Sequence, residues 1–179
     1  MTHLARLLRQ GSVADVPAAQ ALIAEARHWL HSRAIDQWQD AIPDDTIRRN
    51  ANRCELFVVR SGEGITAMVT VLDSDFDTWG DQQTPALYVH RLVVAQSQRG
   101  SGCGQAILQW VAARAVAAEK SLVRLDCAAD NPGLRRFYEM QGFRHVLDVA
   151  VRAPTSGRLL QSSLYERAAP INEASELAR

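Results

Sequence analysis

The chain carries no excess charge of either sign. Its 20 Lys and Arg balance 20 Asp and Glu, so no general field draws it to nucleic acid or to a membrane surface. Long apolar runs are missing as well, and nothing approaches the roughly 20 residues that span a bilayer. Met1-Thr2-His3-Leu4-Ala5-Arg6 has no apolar stretch and no cleavage-like site, so it does not read as a secretory signal. Cysteine is scarce: Cys54, Cys103 and Cys127 are odd in number and scattered. That gives neither a zinc-ligand spacing nor a disulfide framework, and it fits a reducing cytoplasm. No Gly-Lys pair occurs anywhere in the chain, which excludes a P-loop. What is present is ordinary for a globular protein: 47% hydrophobic and 22% charged residues over 179 positions, enough to build a core of its own.

The most informative segment is Arg99-Gly100-Ser101-Gly102-Cys103-Gly104. A β-rich run, Leu87 to Val94, precedes it, and a helical run from Gln105 to Lys120 follows. Strand, glycine turn and helix start together make an anion cradle. Glycine has no Cβ, so a phosphate approaches the backbone closely. The first turn of a helix leaves N–H groups without partners, and the helix dipole favours negative charge there. Arg99 adds a fixed cation. A diphosphate is the expected occupant, but not that of a dinucleotide fingerprint. G-x-G-x-x-G would require glycine where Gln105 or Ile107 stands.

The pattern that remains resembles motif A of the GNAT superfamily of acyl-CoA-dependent N-acyltransferases. That motif, R/Q-x-x-G-x-G/A, is met by Arg99, Gly102 and Gly104, and the Leu-x-Val strand before it by Leu92-Val93-Val94. A second segment resembles motif B of the same family. Asn131-Pro132 opens a helix, Tyr138 lies near its end, and Gly142-Phe143 follows. The resemblance covers Leu87 to Phe143 and is looser from Leu4 to Leu72.

A coarse reading of the elements agrees with this. Leu4 to Arg9 reads as a first strand. Asp15 reads as a helix cap, with Pro17 in the first turn and Leu22, Ile23, Ala26 and Leu30 at helical spacing. Asp44 to Asn50 is a short helix. Leu56 to Val59 and Ile65 to Leu72 are strands around Gly62-Glu63-Gly64, and Asp73 to Pro85 is a polar loop. Strand Leu122 to Cys127, a helix capped by Asn131, and a closing hairpin of Arg144 to Arg152 with Leu159 to Glu166 complete the order. The expected fold is an α/β sandwich with a mixed, mostly antiparallel central sheet and flanking helices. One domain is expected over residues 1–168, with a flexible tail over 169–179.

Acyl transfer from a thioester to an amine sets three tasks. An alkylamine has a pKa of roughly 10.4 and arrives protonated, so it must lose a proton. The developing oxyanion needs a donor. The departing thiolate needs a proton. By the resemblance, Leu92, Val93 and Val94 line the pantetheine and the Val94 amide contacts the thioester carbonyl. Arg99, Gly100, Ser101, Gly102, Cys103, Gly104 and Gln105 hold the diphosphate, with Asn131 and Phe137 also beside the coenzyme. Tyr138 matches the tyrosine that protonates the leaving thiolate; otherwise it is a core tyrosine facing Leu134.

His90 is the candidate base. Strand alternation puts it on one face with Leu92 and Val94, and the alternative is a buried, hydrogen-bonded core histidine. Asp126 either orients the base, binds the amine, or is a turn residue. The Asp73-x-Asp75-x-Asp77 start suggests a calcium loop, but Thr78 and Thr84 occupy its sixth and twelfth positions, so no metal is expected. That acidic loop either is merely solvated or draws a cationic amine toward Trp38 and Trp79, which are core residues or cation–π walls.

The resemblance therefore implies a cytoplasmic enzyme that moves an acetyl group from acetyl-CoA directly to a primary amine, with a small cationic amine as acceptor. Two other readings stay open here: an acyl-CoA-binding sensor without turnover, and an acetyltransferase of protein lysines or N-termini. No nucleic-acid or membrane partner is expected, and a homodimer is left open.

Overall fold

The computed structural model describes residues 8–35, 37–38, 40–62, 64–153 and 155–170. Helical periodicity buries Val16, Ala19, Leu22, Ile23 and Leu30 along one side of α1 (Val16–Ser32). Its approach is fixed by a capping box. The Ser12 amide donates to Asp15 Oδ2 at 2.7 Å, and Pro17 sits in the first turn of α1. Asp15 therefore does not cap α1 with its side chain, as the sequence suggests. Its carboxylate turns back to Ser12 and to Arg60.

Seven strands form one sheet in the order β1-β2-β3-β4-β5-β7-β6. They are β1 (Leu8–Gln10), β2 (Leu56–Ser61), β3 (Gly64–Leu72), β4 (Ala86–Val94), β5 (Leu122–Ala128), β6 (Arg144–Arg152) and β7 (Leu159–Ala168). Every neighbouring pair is antiparallel except β4 with β5. The expected mixed sheet with flanking helices is what the chain adopts. The remaining helices are α2 (Asp44–Asn52), α3 (Phe76–Trp79), α4 (Cys103–Ala117) and α5 (Pro132–Met140). Leu87, Val89, Val123 and Leu125 pack beneath α4, against Ile107, Leu108 and Val111. A second core joins α1 and α2 to Leu56, Val58, Met68 and Val93.

The described part of the first strand runs to Gln10, one residue past the expected end, and residues 4–7 lie outside the described chain. The polar loop contains a helical turn, α3, whose N-cap Asp75 accepts from the Thr78 amide at 3.3 Å. α4 starts earlier than expected, at Cys103, and stops at Ala117. Residue 169 still follows the sheet: the Ala169 amide donates to the Ser121 carbonyl at 2.9 Å. Residues 171–179 of the expected tail lie outside the described chain.

Two features of β4 position the site. Its parallel pairing with β5 runs only from Ala86↔Leu122 to Val89↔Leu125; beyond that pair the strands part. On its other edge β4 carries a bulge. His90 pairs with Thr70 and Val93 with Met68, so Arg91 and Leu92 together stand opposite Val69. Arg91 takes the left-handed backbone, φ 49°, which is strained for a residue with a Cβ. Its side chain is held in compensation. Nη2 donates to Asn50 Oδ1 at 2.8 Å, and Asn50 in turn donates to Glu55 at 2.7 Å.

The bulge corrects one expectation. Alternation alone puts His90 on a face with Leu92 and Val94. The extra residue shifts the period by one. Leu92 and Val94 pack on the α4 core, Val93 joins the α1 core, and His90 stays on the side of Tyr88, away from α4.

Candidate active site

Where β4 and β5 part, a cleft of about 860 Å³ opens. Leu92, Val93 and Val94 form its floor, α5 from Asn131 to Tyr138 one wall, and α1 with Ile35, Gln37 and Trp38 the other. Arg99, Gly100, Gly102, Cys103, Gly104 and Gln105 close one end. Gly100 and Gly102 are left-handed, φ 74° and 80°, and nothing lies within 4 Å of where a Cβ would stand. The first helical bond of α4 runs from the Ala106 amide to the Gly102 carbonyl at 2.9 Å, so the Gly104 and Gln105 amides precede the ladder. Gly104 allows a close approach between elements: a Cβ there would come within 3.3 Å of Phe137. An open loop with unspent amides at a helix start is what an anion requires.

Tyr138 lines the same cleft. Its ring is wedged among Phe137, Phe143 and Tyr165, with centroids 5.4, 5.9 and 6.2 Å away. Burial pushes the phenol pKa well above its ordinary value, with nearby Cys127 and Asp126 adding to the effect. The hydroxyl therefore stays protonated and available as a donor. Asn131 serves two elements. Its Oδ1 accepts from the Leu134 amide at 3.0 Å, capping α5, and its Nδ2 donates to Gln37 Oε1 at 2.9 Å across the cleft.

A second constellation sits at the vertex of the splay. His90 and Asp126 are the residues immediately after the last β4–β5 pair. With Asp75 they offer three ligand-type atoms within 4.8 Å of one another. His90 Nε2 lies 3.0 Å from Asp75 Oδ2, and Ser162 Oγ donates to Asp126 Oδ2 at 2.5 Å. The Asp75 side chain is only 8% exposed. Its Oδ2 faces the His90 imidazole and has no other partner among the described residues. Burial raises the Asp75 carboxyl, but His90 and Thr78 more than offset this and hold it below the usual carboxylate range. The site thus pairs a buried carboxylate with an imidazole, and the Asp126 carboxylate stands beside them.

The model of the GNAT acetyltransferase family matches residues 23–143. The chain belongs to that family. A curated relative from Bacillus subtilis, described as the uncharacterized N-acetyltransferase YesJ, is 31% identical over 137 residues, covering 72% of this chain and 76% of the relative. Solved GNAT-family acetyltransferases from Streptococcus agalactiae and Listeria monocytogenes superpose with TM-scores of 0.74 and 0.71 at 18% and 21% identity. They cover 92% and 90% of this chain, and 95% and 94% of their own. The yncA acetyltransferase of Salmonella typhimurium, solved with its cofactor acetyl-CoA, has a TM-score of 0.66 at 15% identity, covering 92% of this chain and 94% of its own.

As a GNAT enzyme the protein is an acyl-CoA-dependent N-acyltransferase that uses acetyl-CoA, and the cleft suits that molecule. The glycine cradle fits a diphosphate, the apolar floor fits a pantetheine arm, and the Tyr138 hydroxyl marks the far end. Ser101 is the one member of the cradle that does not line the cleft. Its hydroxyl donates to the Gln98 carbonyl at 2.6 Å and accepts from the Cys103 amide at 3.3 Å, so it shapes the turn.

The tryptophans divide. Trp38 lines the cleft, and its carbonyl is anchored by Arg27 Nε at 2.8 Å. Trp79 is buried against Tyr88 with the Arg124 guanidinium 4.9 Å above its ring. It is a core residue whose cation is the protein's own, not a wall of this cleft.

Among the described residues no helix is long and apolar enough to cross a membrane. Asp75, Arg91 and Trp29 were not singled out as site residues by the sequence. In the sequence Asp75 is one acid of the loop that is either solvated or draws a cationic amine, and nothing local announces the bulge at Arg91.

Proposed function

We propose that this GNAT enzyme acetylates a small cationic primary amine by direct transfer. The observation that carries the reading is the His90–Asp75–Asp126 cluster at the vertex of the splay; none of the three lines the cleft itself, but His90 lies two residues before Leu92 of the cleft floor on β4. Two carboxylates gathered around one imidazole, Asp75 and Asp126, attract an ammonium group. An imidazole whose Nε2 proton faces Asp75 has its lone pair on Nδ1, which takes the proton that the ammonium loses.

Bound acetyl-CoA supplies the acetyl group as a thioester. In this reading the Val94 amide donates to the thioester carbonyl oxygen, and the Tyr138 hydroxyl gives its proton to the departing sulfur. The new amide bond forms as the C–S bond breaks, and the second proton shed by the attacking nitrogen restores the Tyr138 hydroxyl. No acyl-enzyme is needed. Burial raises both the Cys103 and the Cys127 thiol, the latter to about 12, so neither offers a thiolate at neutral pH. A reducing, cytoplasmic setting suits the three free cysteines.

The test is thiol release from acetyl-CoA against a panel of diamines, arylalkylamines, neutral alcohols, and peptides with free N-termini or lysines. Turnover with small cationic amines is the expected result. Turnover confined to peptides would contradict the small-amine reading.

A further inference from the structure

Glu25, Trp29 and Arg33 recur at intervals of four along α1 and at its C-cap, and so share one helix face. That face meets the segment leading into the glycine cradle. Glu25 Oε1 accepts the Gln96 amide at 2.8 Å. The Trp29 indole lines the cleft and carries two guanidiniums, Arg99 at 3.7 Å and Arg33 at 5.2 Å from the ring centroid. Stacking on an indole satisfies the flat face of a guanidinium but leaves its N–H edge unused. Among the described residues neither Arg33 nor Arg99 makes a hydrogen bond or ion pair to a side chain. Two like charges thus share one ring at the mouth of the cleft, with the Glu25 carboxylate already engaged by a backbone amide.

Coenzyme A carries two phosphates in its diphosphate and a third as a monoester on the ribose. Loop amides from Gly100 to Gln105 account for the diphosphate. We propose that Arg33 and Arg99, held on Trp29, bind the 3′-phosphate monoester and so make the enzyme selective for the 3′-phosphorylated coenzyme. This rests on the acetyl-CoA reading of the cradle. A phosphate monoester is close to dianionic at neutral pH and offers three acceptor oxygens. Two guanidinium edges match that charge and that acceptor count better than they match one diphosphate oxygen. Burial lowers the Arg99 pKa, Glu25 opposes this, and repulsion from Arg33 adds a smaller lowering. A bound dianion would relieve the repulsion.

The experiment is calorimetric titration with acetyl-CoA and with acetyl-3′-dephospho-CoA, using the wild type, Arg33→Gln and Trp29→Leu. Arg33 is exposed, so its replacement does not threaten the fold. The wild type should bind the phosphorylated ligand at least about tenfold more tightly. Arg33→Gln should weaken acetyl-CoA binding by about that factor and leave the dephospho ligand unchanged, erasing the preference. Trp29→Leu should erode it too, by releasing both guanidiniums. Equal wild-type affinity for the two ligands, or an equal loss for both in Arg33→Gln, would overturn the assignment while leaving the acetyl-CoA reading intact. Failure of the wild type to bind either ligand would overturn both.

Discussion

Tyr138→Phe removes one oxygen and little else. The ring stays wedged among Phe137, Phe143 and Tyr165. The hydroxyl opens onto the cleft and leaves no orphaned partner among the described residues. Folding stability should therefore change by no more than about 0.5 kcal/mol, and acetyl-CoA affinity by less than about twofold. If the hydroxyl protonates the departing sulfur, kcat should fall by at least about 100-fold, equivalent to ~2.7 kcal/mol in the transition state.

The assay is thiol release at saturating acetyl-CoA, paired with calorimetric binding and thermal melting. An unchanged kcat would refute the acid role. A fall in kcat matched by a fall in coenzyme affinity would mean that the oxygen acts in binding.

Alkaline pH offers a second readout. An unfolded tyrosine loses its proton near pH 10, whereas burial keeps the folded Tyr138 protonated to higher pH. The folded state thus binds the proton more tightly. Its advantage is complete below about pH 10 and declines above it. Tyr138→Phe should lose its share of that decline; Tyr165, also raised by burial, keeps its own.

Other outcomes follow from the same geometry. Gly102→Glu places a side chain at φ 80° and a carboxylate in the anion cradle, so acetyl-CoA binding should drop by at least about 100-fold while the protein remains folded. Retained tight binding would remove the cradle. His90→Ala should abolish the acidic limb of the kcat/KM profile, because an imidazole must be neutral to take the proton. An unaltered limb would assign the proton to water or to another group. Arg124→Met should destabilise the fold by about 3–5 kcal/mol in chemical denaturation. It strips the buried Glu166 of its 3.1 Å partner and leaves it with Arg144, whose side chain is largely exposed. A loss below 1 kcal/mol would mean that Arg144 alone suffices.

The cradle was legible from sequence because its chemistry is local. Glycines that need positive φ, a helix start and a preceding strand are adjacent in the chain; the turn stands where it was read, though Ser101 shapes it rather than lining the cleft and the helix begins at Cys103. Asn131 was equally legible, since a cap followed by proline announces a helix start. The acceptor side was not. Whether His90 faces the coenzyme or the far side depends on one extra residue in β4, and the left-handed Arg91 that creates it is stabilised by Asn50, remote in sequence. Asp75 reads as one acid in a polar loop. Only the turn of α3 and the pairing of β4 bring it to 3.0 Å from His90. Trp79 stayed open between core and wall for a related reason. Composition cannot tell a tryptophan that lines a cleft from one that is covered by Arg124.

The central claim is that the cleft between β4 and α5 binds acetyl-CoA through the glycine cradle. Calorimetric titration of the wild-type protein with acetyl-CoA, against NADH and ATP, tests it most directly. Saturable binding of acetyl-CoA, absent for the other two, is the predicted result. No binding of acetyl-CoA, or equal binding of all three, would contradict the account and remove the ground for Tyr138 and His90 together.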